Sequence, residues 1–211
     1  WNIAFEEAGF INAVVAKIQP EDAEWDAADY DYNVVRWSSE PDGNLLGIGP
    51  SVSNPLTGEI ISADVVNKLL AIKLGYNYRK LYGYTEDNDP LMQYITNLTL
   101  HEVGHVLGLR HNFRGSYLYS PDEIHDKNIT GNVLMSSVMD YDPINIAPEG
   151  VEQGIYFSTE PGVYDKWAVK FGYTPNLTDE ERTALLQQSV KRELTFGTDD
   201  DAMSYPGNNI D

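Results

Sequence analysis

The segment from His101 to His111 constrains the fold of this chain more than any other stretch. Its sequence, HEVGHVLGLRH, places two histidines four positions apart, so that on a helix both imidazoles share one face, one turn apart. Gly108 has no Cβ and can adopt the left-handed backbone that ends a helix, which lets the chain turn back and bring His111 to the same point. The pattern therefore predicts a helix through His101 and His105 that ends near Gly108, with three imidazoles converging beside it.

Three imidazoles and one free position are the coordination set of a catalytic zinc, whereas a structural zinc normally has four protein ligands, usually including cysteine. The chain has no cysteine and only four histidines, of which three lie in this motif. Zinc lowers the pKa of a bound water toward neutrality, and Glu102 is placed to accept its proton and pass it to a leaving amine. The remaining imidazole, His125, would close the position that water needs if it were a fourth ligand.

Composition narrows the classes of partner. The 33 acidic and 14 basic residues give a formal net charge of −19, which argues against a nucleic-acid partner and disfavours anionic substrates. No apolar run is long enough to cross a bilayer, so we expect no membrane insertion. The 211 residues suffice for a single catalytic domain. Because the sequence begins at Trp1 without a signal-like segment, we expect residues 1–211 to be part of a longer precursor with further domains.

Periodicity and turn residues predict the main helices and strands. Residues 2–10 have helical spacing, and Asp89 followed by Pro90 is typical of the start of the helix that carries the motif. Strands of one twisted sheet are predicted at residues 13–18, 32–39 and 59–65. Further helices are predicted at residues 66–84, in a short segment beginning at residue 120, at 162–171 and from 178 to about 193.

The motif HExxHxxGxxH resembles the signature of the metzincins, a clan of zinc peptidases that also have a methionine-containing turn beneath the metal. The segment Ser136 to Tyr141, SSVMDY, follows the motif in the expected order. The resemblance implies that Met139 forms the floor under the imidazoles, although most methionines simply fill a core. Tyr141 stands two residues after it, as in astacin-like and serralysin-like members. There the resemblance implies a phenol that approaches the metal and donates to the developing oxyanion.

A closer similarity is to large, poorly characterised bacterial zinc-dependent metalloproteinases. It is carried by WNIAFEEAGF at residues 1–10, SAD at 62–64 and YDKWA at 164–168. The implied fold is α+β: a twisted mixed sheet and the active-site helix form an upper lobe at about residues 1–108, and an irregular helical lower lobe at about 109–211 contains the Met-turn. The resemblance also implies export from the cell. The long helical segment at 66–84 and Asn112 after the third histidine depart from the family pattern.

The resemblance also implies where a substrate binds. In the family an extended peptide pairs with the edge strand of the upper lobe. We assign that edge to Ile60–Val65, which makes Ser62 and Ala63 candidate substrate-binding residues, although a purely structural strand would have the same sequence. Calcium is a second candidate ion at the acidic clusters of residues 86–89 and 198–201, but neither has the spacing of an EF-hand loop.

Together these observations predict a zinc-dependent endopeptidase acting on polypeptides. His101, His105 and His111 would hold the metal, Glu102 would be the general base, and Tyr141 would assist. Two alternatives stay open: a module that binds zinc without turnover, which the intact Glu102 disfavours, and a metal-dependent amidase acting on amides outside proteins. The motif defines the reaction and leaves the side-chain pockets undefined.

Overall fold

The computed structural model describes residues 1–40 and 45–202. Contacts divide the chain into two compact units, one containing Val14–Leu109 and the other containing Trp1–Ala13 together with the chain from Arg110 onward. The sequence analysis assigned the first residues to the upper lobe, whereas in the structure Trp1–Ala13 belong with the second half of the chain. This grouping follows from packing, because the N-terminal helix lies against a helix of that half.

The unit formed by Val14–Leu109 contains a small mixed sheet. Its strands are β1 (Val34–Ser38), β2 (Gly47–Ile48), β3 (Ser51–Ser53) and β4 (Ile60–Lys68). Strand β4 is central: it pairs in parallel with β1 and antiparallel with β2 and β3. Gly47 lies opposite Asn67 and Ser51 opposite Ala63, so β2 and β3 continue one another along the same side of β4. The mixed α+β fold is thereby confirmed.

One strand prediction is wrong. Residues 13–18 form no strand, and Val15 is 64% and Ile18 95% exposed; an apolar pattern becomes a strand only in a sheet with other strands. Ile60–Val65, the predicted edge, belongs to β4: Asp64 and Val65 pair with β1, and Ile60–Ala63 pair with β3 on the opposite side. The edge on that side is formed by β2 and β3, which the sequence analysis missed because each is only two or three residues long and Gly49 and Pro50 separate them.

Two helices complete this unit, α2 (Leu69–Tyr82) and α3 (Pro90–Val106). The predicted start of α3 is confirmed: Asp89 accepts a hydrogen bond from the backbone N of Leu91 at 3.0 Å and also pairs with Arg79 of α2. The side-chain amide of Asn67 in β4 donates to Thr99 of α3 at 3.1 Å. Helix α3 is therefore fixed at its first turn and along its face before the motif begins.

The other unit is mostly helical and less regular. Its helices are α1 (Asn2–Glu7), α4 (Lys127–Thr130), α5 (Val163–Tyr173), α6 (Asp179–Leu186) and α7 (Asp199–Ala202), with 3₁₀ turns at Gly115–Tyr117, Gln187–Val190 and Arg192–Leu194. The helix predicted to reach residue 193 ends at Leu186 and continues as two 3₁₀ turns. Ser120 and Glu123 make the expected reciprocal capping bonds, but residues 121–125 form turns, so the helix predicted to begin here is absent and α4 begins only at Lys127. Within the described residues, no helix combines the length and apolarity needed to cross a membrane.

Candidate metal centre

Helix α3 positions three of the predicted site residues. His101 and Glu102 are buried, and the rings of His101 and His105 stand edge to face with their centroids 4.8 Å apart. A spacing of four residues places both rings on one side of the helix. The contacts that hold α3 at its start fix the direction in which this side faces. The first two ligands therefore owe their positions to backbone geometry within a few helical turns.

The end of α3 has the hydrogen bonds of a Schellman motif. The backbone N of Leu109 donates to the carbonyl of Gly104 and that of Gly108 donates to the carbonyl of His105, both at 3.0 Å. Gly108 has a φ of +87°, a conformation in which a Cβ is strained. The predicted role of Gly108 in ending the helix is therefore confirmed, and the turn directs the chain into Arg110 and His111.

The three histidines of the motif form one cluster. One ring nitrogen from each of His101, His105 and His111 can be chosen so that all lie within 4.8 Å of one another. In the part of the chain that the structure describes, this is the only group of three or more histidine, cysteine or acidic residues arranged to share an ion, and His125 is not part of it. Three neutral imidazoles are a donor set that suits zinc.

The hydrogen bonds at Nδ1 of His105 and His111 are also those expected of metal-binding histidines. Nδ1 of His105 lies 3.0 Å from the carbonyl oxygen of Leu109, and Nδ1 of His111 lies 3.1 and 3.0 Å from the two carboxylate oxygens of Asp199. Carbonyl and carboxylate oxygens only accept, so each Nδ1 carries a hydrogen and Nε2 presents its lone pair. A metal-binding histidine normally donates its other N–H in this way, so these residues fit a zinc ion.

Glu102 lies in a dry environment beside the ligands. It is 5% exposed, and desolvation by burial raises the pKa of its carboxyl to about 7. Strand β2 lies directly against it: a Cβ at Gly47 would be 2.6 Å from its Oε1, and a Cβ at Gly49 would overlap its backbone carbonyl oxygen. This role of the two glycines was not predicted from the sequence. The available signal was their spacing of two, which places both on one face of a strand.

Tyr141 lies at the third ligand. Its Oη is 2.8 Å from Nε2 of His111, and the centroids of the two rings are 4.7 Å apart. The ring of Phe113 stacks on the ring of His111, and the centroids of these two rings are 5.4 Å apart. Tyr141 is nevertheless 65% exposed. The phenol thus stands beside the nitrogen that a metal would use and remains open to solvent.

The segment that contains Met139 is anchored from both sides. Met139 is fully buried, and its carbonyl accepts from the backbone N of Asn112, the residue after the third histidine, at 3.0 Å. Asp165, at the start of α5, accepts from Ser137 Oγ at 2.6 Å and from the backbone N of Val138 at 2.8 Å. A floor beneath the imidazoles formed by the Met139 side chain stays a prediction.

Asp165 is a structural residue that the sequence analysis missed. It also accepts from the backbone N of Gly162 at 2.8 Å, and its side chain is fully buried. Burial raises the pKa of its carboxyl to about 6, although the three donors oppose that change. YDKWA at residues 164–168 entered the sequence analysis only as a point of resemblance, since no local pattern links an aspartate to a segment 27 residues before it.

Two further predictions gain no support. Ser62 pairs with Val52 and Ala63 with Ser51 inside the sheet, and Ala63 is buried, so substrate binding by these two residues stays a prediction. Calcium is not supported either, because the group arranged to share an ion among the described residues consists of histidines alone. Asp89 caps α3, and Asp199 and Asp200 contact His111 and Arg110 respectively.

A histidine pair on a helix, a glycine turn and a third clustered histidine define a metzincin-type zinc site. The model of a protein family described as Met-zincin matches residues 84–211, which include all three histidines and the Met139 segment. The chain belongs to this family, as the resemblance implied, and membership points to a metallopeptidase-type hydrolase. No curated protein and no solved structure matches the chain.

Proposed function

We propose that the protein is a zinc-dependent endopeptidase. The observation that carries the proposal is the cluster of His101, His105 and His111 with Glu102 on the same helix as two of them. Three protein ligands leave a coordination position for solvent, which is the arrangement of a catalytic site. Family membership supports the reaction class, and Glu102 supports turnover over mere binding of the ion.

Zinc, when bound, lowers the pKa of a coordinated water and polarises the carbonyl under attack. Glu102 accepts the proton of that water and delivers it to the leaving amine nitrogen. Burial raises the pKa of this carboxyl, which favours its uptake of the proton. The close approach of β2 at Gly47 keeps the carboxylate out of bulk water.

Tyr141 is the proposed donor to the oxyanion. Its hydroxyl lies 2.8 Å from Nε2 of His111 and the phenol is exposed, so the hydroxyl would stand close to a carbonyl oxygen drawn to a metal at that nitrogen. A donor already held next to developing negative charge stabilises that charge more than water does.

The substrate strand is proposed to pair with the edge formed by β2 and β3. The carbonyls of Leu46 and Pro50 accept from the backbone N atoms of Lys68 and Asp64 in β4. Backbone N–H and C=O groups alternate in direction along a strand, so the odd-numbered residues of this segment point theirs away from β4. These outward positions are Gly47, Gly49 and Ser51. An extended peptide can add to such an edge through main-chain hydrogen bonds, and two of the three positions lie against Glu102.

The natural substrate is proposed to be a polypeptide that the protein meets outside the cell. Family resemblance supports the export. The net charge of −19 supports neutral or basic segments over acidic segments and over nucleic acid.

Cleavage of unfolded proteins tests the proposal. Zinc-loaded protein is incubated with reduced, alkylated proteins, and the products are mapped by mass spectrometry. We expect internal cleavage sites, zinc retention in Glu102→Gln, and a loss of rate of about 10²- to 10⁴-fold in that variant. The control is Glu180→Gln, the same change at an exposed position of α6, which should cleave normally. Wild-type rates in Glu102→Gln would refute the base assignment, and cleavage of cell-wall peptides alone would favour the amidase alternative.

A further inference from the structure

The third histidine has a partner that no motif contains. Nδ1 of His111 lies 3.1 Å from Oδ1 and 3.0 Å from Oδ2 of Asp199, which is 88 residues further along the chain. A carboxylate only accepts, so this contact selects the tautomer of His111 that carries its hydrogen on Nδ1. Nε2, the nitrogen that Tyr141 also approaches, is then the one with a lone pair for a metal.

We propose that Asp199 is the positioning residue of the third zinc ligand. Its carboxylate holds the ring of His111 in the orientation and tautomer in which Nε2 faces the ion, and its charge makes the imidazole a stronger donor. The proposal rests on the proposed zinc centre. It differs in adding a functional residue from the end of the described chain, outside both the histidine motif and the Met139 segment.

The need for such a residue follows from where His111 lies. His101 and His105 belong to α3, and the Nδ1 of His105 is satisfied by the carbonyl of Leu109, a neighbour in the same turn. His111 comes after the turn at Gly108, where no helix fixes its ring. An unrestrained side chain must lose rotamer freedom when it binds an ion, and a contact made beforehand removes part of that cost.

Independent contacts bring Asp199 to this place. The side-chain amide of Asn112, which is fully buried, donates to the carbonyl of Thr195 at 3.1 Å and accepts from the backbone N of Gly197 at 3.1 Å. The backbone N of Phe113 donates to the carbonyl of Gly197 at 2.7 Å. The segment 195–197 therefore lies along residues 112–113 before the chain reaches Asp199.

A second ion pair lies next to the first. Asp200 contacts Arg110 at 2.7 Å, so neighbouring residues on one segment meet neighbouring residues on the other. The side chains of Arg110 and Asp200 are 53% and 77% exposed, whereas those of His111 and Asp199 are 18% and 37% exposed. The outer pair is thus a surface contact, and only the inner pair touches a metal ligand. This difference supplies a matched control.

Zinc affinity in the two sets of variants tests the proposal. Metal-free protein is titrated with zinc against a chelating indicator for wild type, Asp199→Asn, Asp199→Ala and Asp200→Asn. We expect about 10-fold weaker binding in Asp199→Asn, which keeps an acceptor oxygen, and about 100-fold in Asp199→Ala. Asp200→Asn removes the same charge one residue away and should stay within about twofold, as exposed pairs contribute little.

A second measurement separates positioning from folding. Nitrogen-15 NMR of the metal-free protein reports the tautomer of each histidine, and we expect the Nδ1–H form of His111 in wild type and Asp200→Asn, and a mixture in Asp199→Ala. Equal zinc affinity in wild type and Asp199→Ala would overturn the proposal, as would equal weakening by Asp200→Asn. A wild-type protein that binds no zinc would instead refute the zinc centre itself.

Discussion

The two halves of the metal centre are built in different ways. His101 and His105 lie on α3, a helix of 17 residues, and Nδ1 of His105 meets a carbonyl four residues further along the chain. His111 lies beyond the helix end and is held by Tyr141 and Asp199, which are 30 and 88 residues away in sequence. The helical half forms whenever α3 forms, whereas the other half requires distant segments to be in place.

This comparison identifies the part of the site that is most easily disturbed. Helical backbone bonds are cooperative and hold both rings of the first half together. The second half depends on side-chain contacts between segments that are distant in sequence. Changes in the segments that hold Tyr141 and Asp199 should therefore alter the ligand His111 while leaving α3 intact. The predictions below test this division, from the largest expected effect to the smallest.

Removal of a helical ligand should abolish the site. His105→Ala leaves two imidazoles, and the loss of about a third of a typical zinc binding energy, about 4 kcal/mol, corresponds to about a thousandfold weaker affinity. Zinc bound after dialysis, measured by atomic absorption, is the readout. His125→Ala is the control, because His125 lies outside the cluster, and that variant should keep its zinc. Retention of zinc by His105→Ala would contradict the assignment.

Asp165 tests the support of the non-helical half. Asp165→Ala leaves the donors of Ser137, Val138 and Gly162 without their acceptor in a dry site, so the free energy of unfolding should fall by about 3–5 kcal/mol. Asp165→Asn keeps an oxygen for the backbone amides and should lose about 1–2 kcal/mol. Urea denaturation of the metal-free variants measures both values, and an unchanged Asp165→Ala would contradict the anchoring role.

The same residue predicts a pH dependence. Burial raises the pKa of Asp165 from 3.8 to about 6, so the folded state holds this proton more tightly than the unfolded chain does. Its contribution to stability is therefore greatest below pH 4 and is lost as the pH rises through 6. Asp165→Asn does not titrate, and the stability difference between wild type and this variant should shift between pH 4 and pH 7. A constant difference would show that the folded pKa is not raised.

Tyr141 tests the chemistry of the non-helical half without removing its ligand. Tyr141→Phe keeps the ring beside His111 and deletes only the hydroxyl. Loss of one oxyanion donor should lower kcat by about 10- to 100-fold with zinc content and KM nearly unchanged. Steady-state kinetics on a peptide from the cleavage map supply the values. An unchanged kcat would remove Tyr141 from the mechanism and leave it as a contact of His111.

The helix end should show the smallest effect. The Cβ added by Gly108→Ala meets no atom within 4 Å, but the alanine must adopt a φ of +87°. The free energy of unfolding should therefore fall by about 1 kcal/mol. Gly172→Ala is the matched control. It also meets no atom within 4 Å, its φ is not positive, and it lies inside α5, where alanine should stabilise by about 0.5–1 kcal/mol. Thermal unfolding of both variants gives the comparison, and equal changes would show that the turn is not strained.

The division also explains what the sequence could predict. Three features of the site depend only on residues close together in the sequence: the capping of α3 by Asp89, the shared face of His101 and His105, and the turn at Gly108. Such local patterns can be predicted from the sequence alone. The family signature added the order of the Met139 segment and of Tyr141. These elements account for the three clustered histidines, for the proposed base Glu102 and for the helix that carries three of these four residues.

What the sequence could not show depends on distant partners. Residues 13–18 have the apolar pattern of a strand but form none, because strand formation depends on pairing with distant segments, which no local signal reveals. Gly47 and Gly49 matter because they lie directly against Glu102, which is distant from them in the sequence. Asp165 and Asp199 look like ordinary surface acids until the fold brings Ser137 and His111 to them.

The coordination of zinc in the loaded wild-type protein tests the central claim most directly. X-ray absorption at the zinc edge counts the imidazoles and the remaining ligands of the bound ion. We expect three imidazole nitrogens from His101, His105 and His111, completed by oxygen from solvent or from Tyr141. Two imidazoles, or four, would contradict the account, because the first result would leave His111 outside the site and the second would close the position needed for hydrolysis.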